Sequence, residues 1–440
     1  MKKVLWICNI MLPAVARELK LPYSNREGWL SGIFERVLQA KAPFELGVCF
    51  PLERMPEGLG QDGGKEAGFW IKGVKCYPFA EDLGHPEKYE ESLEERFQEI
   101  FKDYKPHMVH IFGTEFPHAL AAVRAFGKPE RTLVGIQGLC GEIAKVYMAG
   151  LPERVRRRVT FRDLIRQDSL RQQQEKFILR GKHEAEVIKG CGYVTGRTGF
   201  DREGTAKLNP GAKYLTMNET MRQEFYSGSW EQESCERHSL FLGQGDYPLK
   251  GMHFVLEAME RLLPDYPDLK LYVAGNSVIE KGTWKQRLKL SGYGKYLLEL
   301  ISRYHLEGKV VMTGKLSALQ MKERFLACHT FLCPSVLENS PNTVGEAMLL
   351  GVPVAASAAG GIPDMVRDGQ SGLLFPAGDG KALAETISRM WDEEKDREGL
   401  TLAQRLSRQA ALSASVAHDG ETNYLRLLEI YREILQDFEE

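Results

Sequence analysis

The chain has 440 residues, too many for one ordinary core and enough for two or three domains. Hydrophobic residues make up 43% and charged residues 27%, so large cores are available and global disorder is excluded. A formal net charge of -2 excludes a general nucleic-acid binder, although a local basic patch stays open.

Met1-Lys2-Lys3 precedes the apolar run Val4-Leu5-Trp6-Ile7-Cys8, which Asn9 interrupts. So short a run reads as a first buried strand rather than the apolar region of a secretion signal. Further strands are predicted at 44–50, 74–79, 108–112, 133–136 and 193–195, with helical segments at 32–41, 89–104 and 119–126 between them. Strand and helix alternating at this spacing argue for a parallel sheet covered by helices. Residues 218–238 are polar, contain Ser227-Gly228-Ser229, and read as a linker after a first domain of residues 1–217. A second α/β series follows, with strands at 240–242, 269–274, 310–313, 331–333, 354–356 and 373–375 and helices at 252–263 and 345–350. It predicts a domain over 239–421. Residues 422–438 read as a closing helix that completes the first domain, with an apolar stripe of Leu425, Leu427, Leu428, Tyr431, Ile434 and Leu435.

No apolar run approaches the roughly 18–20 residues a spanning helix needs. The expectation is a cytoplasmic chain, at most held peripherally at the inner face of the cell membrane. The eight cysteines show neither Cys-x-x-Cys nor zinc spacing, and read as reduced structural thiols. Open α/β sheets bind ligands at the carboxyl ends of their strands, so two such domains put the expected site in a cleft between them. That gives a place but no chemistry.

The chemistry enters with Phe331-Leu332-Cys333-Pro334-Ser335-Val336-Leu337-Glu338-Asn339-Ser340-Pro341-Asn342-Thr343-Val344-Gly345-Glu346. A buried strand ends at Pro334-Ser335, a polar turn follows, and a helix is predicted from Gly345. The turn aims backbone N–H groups and a helix N-terminus at a strand's carboxyl end, a setting that suits a diphosphate. Glu338 and Glu346 do not suit phosphate, but they suit the hydroxyls of a sugar or ribose. A plain capping loop with two solvated acids is the competing reading. Downstream lie Gly351-Val352-Pro353-Val354, Gly360-Gly361-Ile362-Pro363-Asp364 and Gly372-Leu373-Leu374.

Taken together, residues 239–390 resemble the C-terminal domain of glycosyltransferase family 4, the group 1 retaining enzymes. The resemblance rests on two glutamates separated by seven residues, Glu338 and Glu346, followed by Ala-Met, a Gly-x-Pro-Val strand, the Gly-Gly-x-Pro-acid turn and the Gly-Leu-Leu strand. Lys105-Pro106-His107-Met108-Val109-His110 resembles, more loosely, a strand of the family's first domain. The resemblance implies an α/β fold of GT-B type, two Rossmann-like parallel-sheet domains facing across a cleft. It implies transfer of a sugar from a nucleoside-diphosphate sugar to a hydroxyl acceptor, and binding of the donor by Glu338, Asn339, Ser340, Pro341, Asn342, Thr343 and Glu346. In Phe241-Leu242-Gly243-Gln244-Gly245-Asp246-Tyr247-Pro248-Leu249-Lys250-Gly251, it makes Lys250 the diphosphate-binding lysine. No Asp-x-Asp triplet occurs. The carboxylate metal clamp is thus missing, and fixed cations must meet the leaving-group charge. The expectation is a metal-independent enzyme without a cofactor, the sugar nucleotide being its co-substrate.

Two departures from the family stand out. Gln244 occupies the place of a diphosphate-binding arginine, for which Arg197 is a candidate substitute. Gln137, in Gly135-Ile136-Gln137-Gly138, occupies the place of a histidine that contacts the donor sugar. Gln137 cannot act as a base but can hydrogen-bond a sugar hydroxyl, so it joins Lys250 and Glu338 as a catalytic candidate. Gly28, in Glu27-Gly28-Trp29, is the candidate glycine of the family's donor loop, against a simple helix-start glycine. The basic residues of 154–182 admit either a peripheral membrane contact near a lipid-linked acceptor or a solvated helix face. Saccharide and small-molecule acceptors remain open beside lipid-linked ones. The competing functions are an epimerase or phosphorylase on the same architecture, and a sugar-nucleotide-binding partner subunit with weakened catalysis.

Overall fold

The computed structural model describes residues 1–22, 28–55 and 68–436. The chain divides into two compact units, one of Met1–Ala144, Lys176–Thr220 and His418–Glu440, the other of Lys145–Glu175 and Met221–Ala417.

The first unit holds eight strands: β1 (Lys3–Cys8), β2 (Glu45–Leu52), β3 (Phe69–Ile71), β4 (Val74–Ala80), β5 (Met108–Phe112), β6 (Thr132–Gly135), β7 (Tyr193–Gly196) and β8 (Lys213–Thr216). Their order is β3-β4-β2-β1-β5-β6-β7-β8. All neighbours are parallel except the β3–β4 hairpin. Every predicted strand is present within a few residues of its apolar run, because strands buried on both faces are apolar throughout. Successive β1 side chains feed opposite cores. Val4 and Trp6 join Phe34, Leu427 and Tyr431, while Leu5 and Ile7 join Phe97, Ile111 and Val187.

The closing helix runs Gly420–Leu435, two residues earlier in its start than predicted, and residues 437–438 lie outside the described ones. Its Tyr431 hydroxyl accepts from Trp6 Nε1 at 2.7 Å and lies 2.8 Å from His110 Nδ1. Burial lowers the imidazole to about 3, which keeps it neutral.

The second unit's sheet comprises β9 (Glu236–Leu242), β10 (Lys270–Ala274), β11 (Val310–Gly314), β12 (Cys328–Cys333), β13 (Val354–Ser357) and β14 (Leu373–Phe375). Its order is β11-β10-β9-β12-β13-β14, parallel throughout. Strand order reverses between β9 and β12, where Leu242 sits opposite Leu332. In a doubly wound sheet this reversal opens a crevice at the carboxyl ends.

Two expectations about organisation differ from the structure. Residues 221–238 are not a free linker. Phe225 and Trp230 are buried in the second unit, and Trp230 donates from N to Leu350 O and from Nε1 to Cys328 O, both at 2.8 Å. Two aromatic anchors outweigh the polar residues around them. Residues 145–175, expected in the first domain, pack with the second unit. Arg154 and Arg158 reach Glu299 at 2.8 and 2.6 Å, and Asp163 accepts from Gly292 N at 3.0 Å. Among the described residues no disulfide forms, and all eight cysteines are buried. No helix among them is long and apolar enough to cross a membrane.

Candidate functional site

In the second unit, the loops that follow β9 and β12 meet at the reversal point. After β9 the chain runs through Gly243 to a short 3-10 turn, Pro248–Lys250, and then Gly251. Gly251 has φ +73°, and a Cβ there would lie 2.1 Å from Pro334 O. Only glycine lets this loop lie against the end of β12. Val336 N donates to Leu249 O at 2.8 Å and closes the two loops together.

That approach delivers Lys250 to Glu338. Lys250 Nζ lies 2.5 Å from Glu338 Oε1, and Ser335 Oγ donates to the same oxygen at 2.7 Å. Burial opposes the ammonium charge, but the carboxylate outweighs it and holds Lys250 above its ordinary value. Glu338 is itself fixed through its backbone. Its carbonyl accepts from Gly361 N at 3.0 Å, and a Cβ on Gly360, at φ +55°, would lie 2.0 Å from that carbonyl oxygen. The Gly360-Gly361 pair thus acts by close approach to Glu338.

The next helix spans Asn342–Leu349, three residues earlier in its start than predicted. Pro341 precedes it, pre-setting φ at the helix start. No side chain caps its first turn, so its leading N–H groups remain available to an anion. Thr343, predicted in the turn, lies in this first turn, and a Cβ on Gly243 would meet its Cγ2 at 3.3 Å. Asn339 is buried, while Ser340 and Pro341 are half-buried in the turn.

Glu346 is buried one turn into this helix. Its Oε1 is held by Arg222 through Nη2 at 2.7 Å and Nε at 2.9 Å. Burial pushes its carboxyl up to about 7, against the pull of Arg222. Glu346 Oε2 and Asn342 Oδ1 are both buried without a hydrogen-bond partner. They stand four residues apart, on one helix face. Buried acceptors left open ask for donors, which is what vicinal hydroxyls supply. Arg222 escaped the sequence reading because it lies in the segment taken as linker. The signal that finds it is the pair of large aromatics, Phe225 and Trp230, on its C-terminal side.

The remaining predicted residues lie elsewhere. Gln244 leans the other way along the loop, its Cγ 3.8 Å from where a Cβ on Gly275 would be, at the end of β10. Gln137 belongs to the first unit, where it lines a cavity of about 20 Å³ with His110, Arg197 and Glu219. Arg197 is ion-paired with Glu219 there, so its charge is already matched. Gly28 also belongs to the first unit, as the first residue of the helix Gly28–Gln39; residues 23–27 before it lie outside the described ones.

The first unit has its own reversal point, between β1 and β5, and polar side chains gather there. Asn9 Nδ2 donates to Glu115 Oε2 at 3.2 Å, Asn9 Oδ1 lies 3.0 Å from His118 Nε2, and His118 Nδ1 lies 2.8 Å from Glu81. Glu184 accepts from Cys140 N, Gly141 N and Thr114 Oγ1 at 2.9, 3.1 and 3.0 Å. Burial raises Glu115, and raises Glu184 to about 7. Among the described residues no group of three or more His, Cys, Asp or Glu side chains has a metal-holding arrangement.

Residues 223–409 match the family model for glycosyl transferases group 1. The match begins one residue after Arg222 and takes in β9 to β14 with Lys250, Glu338 and Glu346. The matched stretch lies wholly within the second unit. A putative colanic acid biosynthesis glycosyltransferase, WcaL of Salmonella typhimurium, is 30% identical over 145 residues, 32% of this chain and 32% of WcaL. A phosphatidyl-myo-inositol mannosyltransferase of Mycobacterium leprae is 32% identical over 149 residues, 34% of this chain and 35% of its own length. The aligned stretch thus spans about a third of these relatives. Among solved structures, a sucrose-phosphate synthase from Thermosynechococcus elongatus aligns with TM-score 0.64 and 14% identity, covering 99% of this chain and 100% of that one. HepE of Anabaena, in complex with UDP, aligns with TM-score 0.63 and 14% identity, covering 98% of this chain and 100% of its own. The fold is GT-B, built from two Rossmann-like parallel-sheet units.

Proposed function

We propose that the protein is a glycosyltransferase of family 4 type. It moves a sugar, with retention and without a metal, from a nucleoside-diphosphate sugar to a hydroxyl acceptor in polysaccharide or glycoconjugate synthesis. The carrying observation is the pair of open buried acceptors, Asn342 Oδ1 at an uncapped helix start and Glu346 Oε2 one turn further in. Ribose hydroxyls donate to the carboxyl, while the first-turn N–H groups face the diphosphate. The solved complex of HepE with UDP-glucose supports this class of donor.

Lys250, held by Glu338 where the two loops close together, supplies the cation for the diphosphate. In the free protein Glu338 occupies it; an incoming diphosphate takes over the ammonium, and the released carboxylate turns to the sugar hydroxyls. The charge that develops on the leaving diphosphate is then met by the ammonium and by backbone dipoles.

A second reading is a donor-binding subunit with weakened catalysis. It is favoured by Gln244, which carries no charge, and by Arg197, whose charge Glu219 already matches. Calorimetric titration with a panel of sugar nucleotides, then mass analysis of products with mixed acceptors, separates the two. Donor binding with release of nucleoside diphosphate supports the transferase, and binding without release supports the subunit. No binding of any sugar nucleotide sinks both.

A further inference from the structure

We infer that the segment around the helix Phe161–Arg166 docks the protein on an anionic lipid bilayer. The inference does not depend on the reaction assigned above. A surface helix normally turns its apolar stripe inward and its charges to water. This helix does the reverse. Asp163 is 1% exposed; it takes part in a capping box with Thr160 and accepts from Gly292 N at 3.0 Å. Fixing Asp163 inward fixes the opposite face outward. On that face Phe161, Leu164 and Ile165 stand three and four residues apart, 59%, 68% and 67% exposed, with Val159 at 52% just before them. Four large apolar side chains within seven residues form a compact patch, of the kind that marks an interaction surface.

The charge around the patch selects its occupant. Residues 153–171 hold seven arginines (154, 156, 157, 158, 162, 166 and 171) against three acids, Glu153, Asp163 and Asp168, a net charge of +4. Counting Glu299, which pairs with Arg154 and Arg158, still leaves +3. Asp163 faces inward, Asp168 is held by Arg162 at 2.6 Å, and Glu153 pairs with Arg157 and Arg171, so the acids lie among the arginines rather than as a separate negative face. Apolar side chains ringed by guanidinium groups match an anionic interface. The apolar groups enter the acyl boundary while the arginines stay at the lipid phosphates. A self-complementary dimer face would instead bring the arginines of two copies together.

The test is co-sedimentation of the full chain with vesicles of phosphatidylglycerol and phosphatidylcholine in equal parts, and of phosphatidylcholine alone. The wild type should bind the anionic vesicles at least tenfold better. Phe161→Ser/Leu164→Ser/Ile165→Ser should lose at least tenfold of that binding with an unchanged melting temperature, since Asp163 and the cap remain. Arg166→Glu/Arg171→Glu, which leaves the apolar face intact, should erase the preference for anionic vesicles. Hydrogen exchange across 160–167 should slow on anionic vesicles. Equal binding by the wild type and the triple variant, or no binding to either vesicle, overturns the inference. So does a dimer at sedimentation equilibrium that the triple variant abolishes, because a second copy would then cover the face.

Discussion

Lys250 is held by a carboxylate 2.5 Å away, and that carboxylate is steadied by Ser335 and by a glycine pair behind it. A cation so placed is fixed before any ligand arrives, which is the condition for stabilising charge without reorganisation. Lys250→Ala should therefore lower kcat about 10²–10³-fold, read as nucleoside diphosphate released per unit time. Lys250→Arg should recover only part of this, because a planar fork does not replace a point charge. Glu346 gives a pH signature. Its folded-state value, about 7, is raised above the ordinary 4.5, so folding favours the protonated form. That contribution is full below about 4.5 and is lost as pH rises through about 7, a change on the order of 3 kcal/mol. Glu346→Gln fixes the neutral form. Melting curves at pH 5 and pH 8 should show the variant gaining on the wild type at the higher pH. A gap that stays constant would mean that Glu346 remains ionised throughout.

At the scale of elements, the site depends on backbone approach. Gly251→Ala adds a Cβ 2.1 Å from a strand-end carbonyl at a φ of +73°, and should cost about 2–4 kcal/mol in urea unfolding and weaken donor binding with it. Gly369→Ala is the control. Its φ is +69° but nothing lies within 4 Å, so the cost should be about 1 kcal/mol with donor binding unchanged. The parallel strands were legible because burial on both faces makes them continuous apolar runs. The order of the glutamates, the glycine turns and Lys250 was legible because each is tied to a strand end. Strands β3 and β8 were not. The first, Phe69-Trp70-Ile71, is apolar but is an antiparallel edge strand with no buried residue, and the second sits at a sheet edge with two of its four residues exposed, so neither is buried on both faces like the predicted strands. The early start of the helix at Asn342 was masked by Thr343-Val344, whose β-branched side chains favour extended chain, although Pro341 marks it. Arg222 and Glu346 are 124 residues apart, and no local pattern joins them.

At the scale of the molecule, the segment between the two sheets tests how far the second unit extends. Trp230→Ala removes a side chain that is 3% exposed and leaves Cys328 O without its donor, so the second unit should lose about 3–5 kcal/mol. A free linker would shift by no more than about 0.5 kcal/mol. Tyr431→Phe removes the acceptor of Trp6 Nε1 and the hydrogen-bond partner of His110 Nδ1, which should cost the first unit about 2–4 kcal/mol in the same unfolding experiment.

Trp6 leaves the ribosome well before its hydroxyl partner, which follows 425 positions later. At about 5–20 residues per second, the earliest strand waits some tens of seconds for the helix that seals its core. The middle of the chain, Met221–Ala417, is complete before that helix emerges. Closure therefore runs against reading order, with the later-encoded unit complete first and the first unit's sheet left open for chaperones until its sealing helix is made.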